Sequence, residues 1–427
     1  MTLLPTSATT VAEAEPRCTT LDNGLTVLSA HVPGVRSVAF GAFVLAGSIH
    51  ETPERMGVSH LLEHMVFKGT PTRSARRLSL DIESLGGSID AYTTREYTSY
   101  QARVLAEHLP IAVDVIGDLV FRPLLRDEDL ALERKVIVEE IGMVEDTPDD
   151  LVFERHGELL WGDHPYGYSI LGTRETVQAL GTGELRELHA RAYHPRRLVV
   201  AAAGCVEHEQ LVETLVAAGW GSAPAGDAAP LISRPPVAAA PAYRHVPDRT
   251  LTQTHVVLGS TTVPHGDPRR YAIALVNMVL GDGMSSRLFQ TVREELGLAY
   301  AVHSWQHFHV DAGMHGVYVA SAPKTARKAL DTIRGELSRL VTEGLPEEEL
   351  AAAKTQMKGQ VTLSMESVTN AMYRAAGTVL YGEPWRPLEA ILAEVDGIGA
   401  EDVRGVCGDF FAPERQSVLS LGPKAVG

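Results

Sequence analysis

Apolar residues recur at a helical spacing in two segments near the start of the chain. The first segment, 56–69, has apolar residues on one side of a helix with about 3.6 residues per turn; they are Val58, Leu61, Leu62 and Met65. The second, 131–146, has the same spacing in Val136, Ile137, Ile141 and Val144. The pattern predicts two helices, each with one buried face.

Other segments follow the two-residue period of β-strands. Apolar residues dominate 37–45 and 254–260, which predicts one strand at the start of each half of the chain. Residues 88–105 and 299–319 are β-branched and aromatic runs with polar alternation. Each of these two runs follows a Leu-Gly pair and predicts a hairpin.

The same order of elements occurs twice. A helix with an acidic first turn follows each hairpin, at Asp127 in one half and at Glu347 in the other, 220 residues later. We therefore expect an α+β fold of two homologous domains, each an antiparallel sheet with helices packed on one face. Six prolines interleaved with alanine and glycine at 221–247 predict a linker between domains at 1–220 and 248–427.

Composition narrows the class of function. The 427 residues carry 38 Lys and Arg against 54 Asp and Glu, a net charge of −16, which argues against nucleic acid or an anionic membrane as partner and favours cationic substrates. No stretch has the length and apolarity of a membrane span, and the start lacks the pattern of a secretory signal. Three widely spaced cysteines suggest no disulfide framework. The expectation is a cytoplasmic protein.

The first predicted helix carries a metal-binding motif. His60 and His64 are one turn apart on the same face, and Glu63 flanks them, in the order H-x-x-E-H. Chance places such a motif in a chain of this composition with a probability of roughly one in twenty. The second predicted helix offers Glu140, which completes a His₂Glu set with an open position for water. We interpret the neighbouring Glu139 as an ordinary solvated charge.

This combination resembles the pitrilysin-like zinc metallopeptidases, in particular their processing-peptidase branch. The resemblance implies that His60, His64 and Glu140 bind one Zn²⁺ per chain and that Glu63 is the general base. It also implies that Glu133, two turns before Glu140, orients a ligand from outside the coordination sphere.

A second patch, 281–300, is similar to the carboxyl-terminal signature of the same family. The resemblance implies that Arg293 and Tyr300 contact the substrate and the developing oxyanion, whereas composition alone favours a helix-end arginine and a packed tyrosine. Gly281 and Gly283 are either a plain turn or a substrate-handling loop. The segment Asp90, Ala91, Tyr92 and Thr93 resembles the substrate-binding edge strand, with aspartate where asparagine is common.

Three histidines and a tryptophan alternate along the second hairpin, at His303, Trp305, His307 and His309. The pattern could indicate a second metal site, but no carboxylate pair lies nearby in the sequence to complete it. We interpret these residues as a polar wall of a chamber.

The sequence therefore predicts a zinc-dependent endopeptidase that acts on peptides or unfolded polypeptide segments. The alternatives are a non-catalytic substrate-binding or scaffold relative and a metal-stabilised binding protein. The resemblance further implies a homodimer, because a full chamber in this family needs four such domains and the chain has two. Arg293 and Tyr300 of one subunit would then complete the zinc site of the other in trans.

Overall fold

The computed structural model describes residues 15–226, 231, 235–237 and 239–427. The first half forms a six-stranded sheet. Its strands, in spatial order, are β1 (Arg17–Thr20), β2 (Thr26–His31), β6 (Leu198–Gly204), β3 (Ser37–Val44), β5 (Thr98–Leu105) and β4 (Ser88–Thr93).

The second half forms a five-stranded sheet. Its strands, in spatial order, are β7 (Tyr243–Pro247), β11 (Ser417–Gly422), β8 (Thr254–Thr262), β10 (Gly313–Ser321) and β9 (Ala299–Phe308). Strand β7 lies inside the range predicted as linker, so that the sequence prediction was wrong for those five residues. Part of the rest of the predicted linker lies outside the described residues.

The two sheets share one topology. The order β2-β6-β3-β5-β4 matches β7-β11-β8-β10-β9 strand by strand. In both sheets the first of these pairs is parallel and the other pairs are antiparallel. The α+β fold in two related units is confirmed, and each sheet is mixed because it contains this one parallel pair.

Fourteen α-helices surround the sheets in the described ranges. Those of the first half are α1 (Val58–Val66), α2 (Ala75–Glu83), α3 (Leu109–Phe121), α4 (Asp127–Asp146), α5 (Pro148–Trp161), α6 (Arg174–Ala179), α7 (Thr182–Ala192) and α8 (His208–Ala217). Those of the second half are α9 (Arg269–Gly281), α10 (Ala326–Glu343), α11 (Glu347–Ser364), α12 (Val368–Leu380), α13 (Leu388–Gly397) and α14 (Ala400–Val406).

Each sheet packs most of its own helices on one face and receives a helix from the other half on the opposite face. Helix α12 lies on β2, β3 and β6, and α5 lies on β8 and β11. Strand β3 is therefore buried on both faces, which explains its almost uninterrupted apolar sequence. Gly41 in β3 leaves room for Met372 of α12, whose sulfur would lie 3.0 Å from a Cβ at that position.

This exchange predicts that α12 stabilises the first sheet. Met372 is fully buried against it, and Met372→Ala should lower the free energy of unfolding by about 2–5 kcal/mol through lost contacts and a cavity. Chemical denaturation measures the change. The control Met284→Ala, at a side chain that is 75% exposed, should change stability by less than about 0.5 kcal/mol. Equal effects of the two variants would contradict the packing described.

Candidate metal centre

Helix α1 presents the motif residues toward a protected site. Leu61, Leu62 and Met65 are fully buried and fix the rotation of the helix. His60 and His64 then lie one turn apart with ring centroids separated by 4.6 Å. Burial lowers the pKa of His60 to about 3, and its imidazole is therefore neutral at pH 7, the form that binds metals.

Helix α4 packs against α1 and brings two carboxylates to the histidines. Glu133 and Glu140 are seven residues apart, or about two turns, and therefore share one face. The buried apolar residues of α4 are Leu130, Ile137 and Ile141. They form a buried face that centres on Glu133. Val136 was predicted to belong to the buried face, but it lies outside it and is 49% exposed.

Three ligand atoms converge between the two helices. The Nε2 atoms of His60 and His64 each lie 3.8 Å from Oε2 of Glu140. Ligands of a tetrahedral zinc with bonds near 2.1 Å are separated by about 3.4 Å. Oε2 of Glu140 is buried and has no hydrogen-bond donor. A buried acceptor without a donor beside two imidazole nitrogens fits a zinc ion.

Glu133 fixes the orientation of His64. Its Oε2 lies 3.1 Å from Nδ1 of His64, and its Oε1 lies 2.5 Å from Nζ of Lys68. A proton on Nδ1 leaves the Nε2 lone pair free for the metal. This contact agrees with the ligand-orienting role that the family resemblance implies for Glu133, and that role stays a prediction. Lys68 was not among the predicted residues, although it follows His64 by four positions.

Glu63 lies on α1 beside the two histidines. Its side chain is buried, and Oε2 accepts a hydrogen bond from Oγ1 of Thr93 at 2.6 Å. Burial raises the pKa of Glu63, and the hydrogen bond from Thr93 and the nearby His64 lower it. Thr93 was predicted only as part of a substrate-binding strand, and its contact with Glu63 is a further role.

Strand β4 forms the free edge of the first sheet and lies beside α1. Of its residues, Asp90 accepts a hydrogen bond at 2.9 Å from the backbone N–H of Ala91. Tyr92 packs in an aromatic cluster, with its ring 6.2 Å from those of Tyr97 and Tyr373. An edge strand with unpaired main-chain groups is a template for an extended peptide.

Arg293 and Tyr300 contact each other. The guanidinium lies 4.5 Å from the centre of the Tyr300 ring and donates to the Tyr300 carbonyl at 3.1 Å. Tyr300 is 77% exposed. Among the described residues no hydrogen bond, ion pair or ring contact joins this pair to His60, His64 or Glu140.

The two glycines near this pair have structural explanations. A Cβ on Gly281 would lie 2.4 Å from the backbone nitrogen of Ser304, and Gly283 has a φ of +95°, a conformation that favours glycine. Their contact with substrate stays a prediction.

His303 and His307 of β9, and His309 just after the strand, line a cavity of about 600 Å³ between the two halves. Thr93 and the turn that follows it, residues 94–97, also line the cavity. His303 stacks on Phe153, and His309 stacks on Tyr166 and lies 3.8 Å from Glu96. Within the described residues the one group of three close ligands is His60, His64 and Glu140. The geometry of the β9 histidines agrees with a chamber wall.

Comparison with known proteins places the chain among peptidases. Residues 26–174 match the model described as insulinase (peptidase family M16), and residues 180–357 match the model described as peptidase M16 inactive domain. The chain belongs to the M16 peptidase family. The first match contains the whole metal set, whereas the second contains Arg293 and Tyr300.

Relatives of similar length carry the name "uncharacterized zinc protease". The protein of Streptomyces coelicolor is 39% identical over 95% of this chain and 89% of its own length. That of Bacillus subtilis is 37% identical over 92% of this chain and 95% of its own length. That of Mycobacterium tuberculosis H37Rv is 36% identical over 96% of this chain and 94% of its own length.

Two solved structures share the fold of this M16 chain. A protease from Helicobacter pylori has a TM-score of 0.90 at 19% identity, with 96% of this chain and all of the other covered. A structure titled peptidase M16 inactive domain, from Pseudomonas fluorescens, has a TM-score of 0.88 at 19% identity, with 96% and 98% covered. In the described ranges no helix has the length and apolarity needed to cross a bilayer.

The contact between Glu133 and His64 predicts a role in metal affinity. Glu133→Gln removes the charge that pairs with Lys68 and orients His64, and zinc affinity should fall about 10- to 100-fold. Competition with a chromogenic chelator measures the dissociation constant. Glu139→Gln, at an exposed position on the same helix, should leave the constant unchanged. Equal affinities of the two variants would contradict the role of Glu133.

Proposed function

We propose that this M16 chain is a zinc-dependent endopeptidase that hydrolyses peptides or unfolded polypeptide segments. The observation that carries the proposal is the convergence of His60, His64 and Glu140 around one point with Glu63 beside them. The names of the relatives, which call them zinc proteases, support zinc as the metal. One such group among the described residues supports one zinc per chain.

Different residues would carry out different steps of hydrolysis. A zinc ion held by His60, His64 and Glu140 would polarise the scissile carbonyl and acidify a water molecule at its open position. Glu63 takes the proton of the attacking water and passes it to the leaving amine. Burial raises the pKa of Glu63, which makes it easier for the carboxylate to carry the proton between these two steps. Thr93 holds the carboxylate in place.

The edge of β4 supplies the means to hold an extended substrate. Main-chain pairing with β4 places the peptide beside α1, where Glu63 lies. The N–H of Ala91 then exchanges the Asp90 carboxylate for a substrate carbonyl. Such pairing needs an extended segment, which supports peptides and unfolded regions as the substrate class. The preference for cationic substrates rests on the net charge of −16 alone.

A non-catalytic scaffold or substrate-binding relative is the second candidate. The complete H-x-x-E-H set with Glu140 argues against it, because a scaffold has no use for a general base beside a metal position. The description "inactive domain" belongs to the model that matches 180–357, and the metal set lies outside that range. We place the peptidase in the cytoplasm, which the three unpaired cysteines, Cys18, Cys205 and Cys407, support.

The roles of Glu63 and His64 are separable by experiment. Glu63→Gln should retain zinc and lose at least about 1,000-fold in kcat, because an amide cannot carry the proton of the attacking water. His64→Ala should lose zinc itself, because a ligand is removed. Atomic absorption of dialysed protein and cleavage of a quenched peptide measure the two quantities. Loss of zinc from Glu63→Gln, or full zinc in His64→Ala, would contradict the assignment.

We further propose a homodimer in which Arg293 and Tyr300 of one subunit reach the zinc site of the other. Two exposed apolar groups support a partner surface. One lies in the same segment of the chain as the pair, with Met284 75% and Leu296 42% exposed. The other, on α4 near Glu140, consists of Leu132, Val136 and Met143. Burial of both groups by a second copy would remove apolar area from water.

The trans arrangement predicts complementation between two inactive variants. Glu63→Gln and Tyr300→Phe proteins, each inactive alone, should regain activity when mixed, because one site of each mixed dimer then has both intact parts. Peptide hydrolysis is measured after subunit exchange has been demonstrated with differently tagged chains. A mixture that stays inactive despite exchange would show that the site is completed within one chain.

A further inference from the structure

Helix α1 begins without a side-chain cap of its own. The residue before its first turn is Gly57, with a φ of +86° and no side chain to accept a hydrogen bond. The first turn of any helix leaves backbone N–H groups without intrahelical partners. His60 is the third residue of α1 and therefore belongs to this turn. The metal position thus depends on how the uncapped end is held.

No capping side chain fits at position 57 itself. A Cβ on Gly57 would lie 2.5 Å from the carbonyl oxygen of Leu171. Gly172, the next residue, is packed just as closely, since its own Cβ would lie 2.4 Å from the carbonyl oxygen of Met56. The two glycines interlock, and Ser, Thr, Asp or Asn cannot replace Gly57 without moving the backbone. The acceptor for the first turn has to come from elsewhere in the chain.

Glu51 supplies that acceptor. Its Oε2 accepts from the N–H of Gly57 at 2.7 Å, and its Oε1 accepts from the N–H of Ser59 at 2.9 Å. The side chain of Ser59 also acts on this carboxylate and lowers its pKa. Glu51 is buried, with 8% of its surface exposed. One buried carboxylate therefore accepts from the residue before α1 and from its second residue, Ser59, which directly precedes His60.

A negative charge at this place also matches the helix dipole, since the positive end of α1 points toward it. The helix has only nine residues, and His60, Glu63 and His64 occupy its positions 3, 6 and 7. A shift of its first turn therefore moves His60 relative to His64, which the Glu133 contact holds separately.

We propose that Glu51 is a positioning residue of the metal centre: its carboxylate caps the first turn of α1 and so holds His60 within ligand distance of Glu140. Glu51 acts through Gly57 and Ser59 and touches neither the metal nor the substrate. The inference rests on the proposed function in taking His60, His64 and Glu140 as the zinc ligands.

Glu51→Gln tests the proposal, because it keeps the length of the side chain and removes its charge. The matched control is Glu54→Gln, an exposed glutamate in the same loop. Measurements are made at pH 8.5, because burial raises the pKa of Glu51 to about 7 and the wild-type carboxylate is then ionised. The readouts are the zinc dissociation constant, the visible spectrum of the cobalt-substituted protein, and kcat and KM for a quenched peptide.

We expect Glu51→Gln to weaken zinc binding about 10-fold or more, to change the cobalt spectrum and to lower kcat with KM unchanged. Glu54→Gln should match wild type in all three. A merely structural role would lower the melting temperature and leave the cobalt spectrum of the folded protein unchanged. If Glu51→Gln does not fold, Glu51→Asp keeps the charge but shortens the side chain, so that it cannot reach both N–H groups, and it should still shift the cobalt spectrum.

Two outcomes would overturn the proposal, and they differ. Wild-type zinc affinity and an unchanged cobalt spectrum in Glu51→Gln, or an unchanged spectrum in Glu51→Asp when that variant carries the test, would remove the positioning role and leave the peptidase proposal standing. Failure of the wild-type protein itself to bind zinc would remove both.

Discussion

The packing of α1 against α4 is the interaction on which the candidate site depends. Neither helix could hold a metal alone, because α1 offers two imidazoles and α4 offers the third candidate ligand, Glu140. At the contact, buried Glu133 of α4 bonds His64 and pairs with Lys68. A buried carboxylate without partners would cost several kcal/mol, and the lysine and histidine offset that cost. The same contacts that stabilise the helix pair thus orient a ligand.

The exchanged helices extend this dependence to both halves of the chain. Helix α12 covers the outer face of the first sheet, and its Tyr373 donates a hydrogen bond to Gln101 at 2.6 Å. The ring of Tyr373 also lies beside that of Tyr92, in the edge strand proposed to hold the substrate. Helix α5 covers the second sheet in the same way. Each sheet therefore needs a helix from the other half to cover its second face.

Local sequence patterns predicted helices and strands correctly where apolar residues followed a single helical or strand spacing. The spacing around His60 predicted α1, and the alternating runs predicted both hairpins, because these signals depend on neighbours in the chain. The matching halves predicted a duplicated fold, which the shared strand order supports. The ligand set came from residue types and spacing together with a family resemblance, and the structure brings those atoms together.

What the sequence did not predict depends on contacts between distant segments. The buried face of α4 centres on Glu133, a polar residue that contacts His64 and Lys68. Val136 lies outside this face and is exposed. The crossing of α5 and α12 leaves no local signature, since an apolar helix face does not specify which sheet covers it. The bond between Thr93 and Glu63 joins residues 30 positions apart and follows only from the placement of β4 beside α1.

An anomalous difference map at the zinc absorption edge, from crystals of the zinc-loaded protein, tests the central claim most directly. The account predicts one strong peak per chain, about 2.0–2.2 Å from Nε2 of His60, Nε2 of His64 and the Glu140 carboxylate. Glu63 should lie near the peak without bonding to it. A peak held by other residues, or no peak between α1 and α4, would contradict the account.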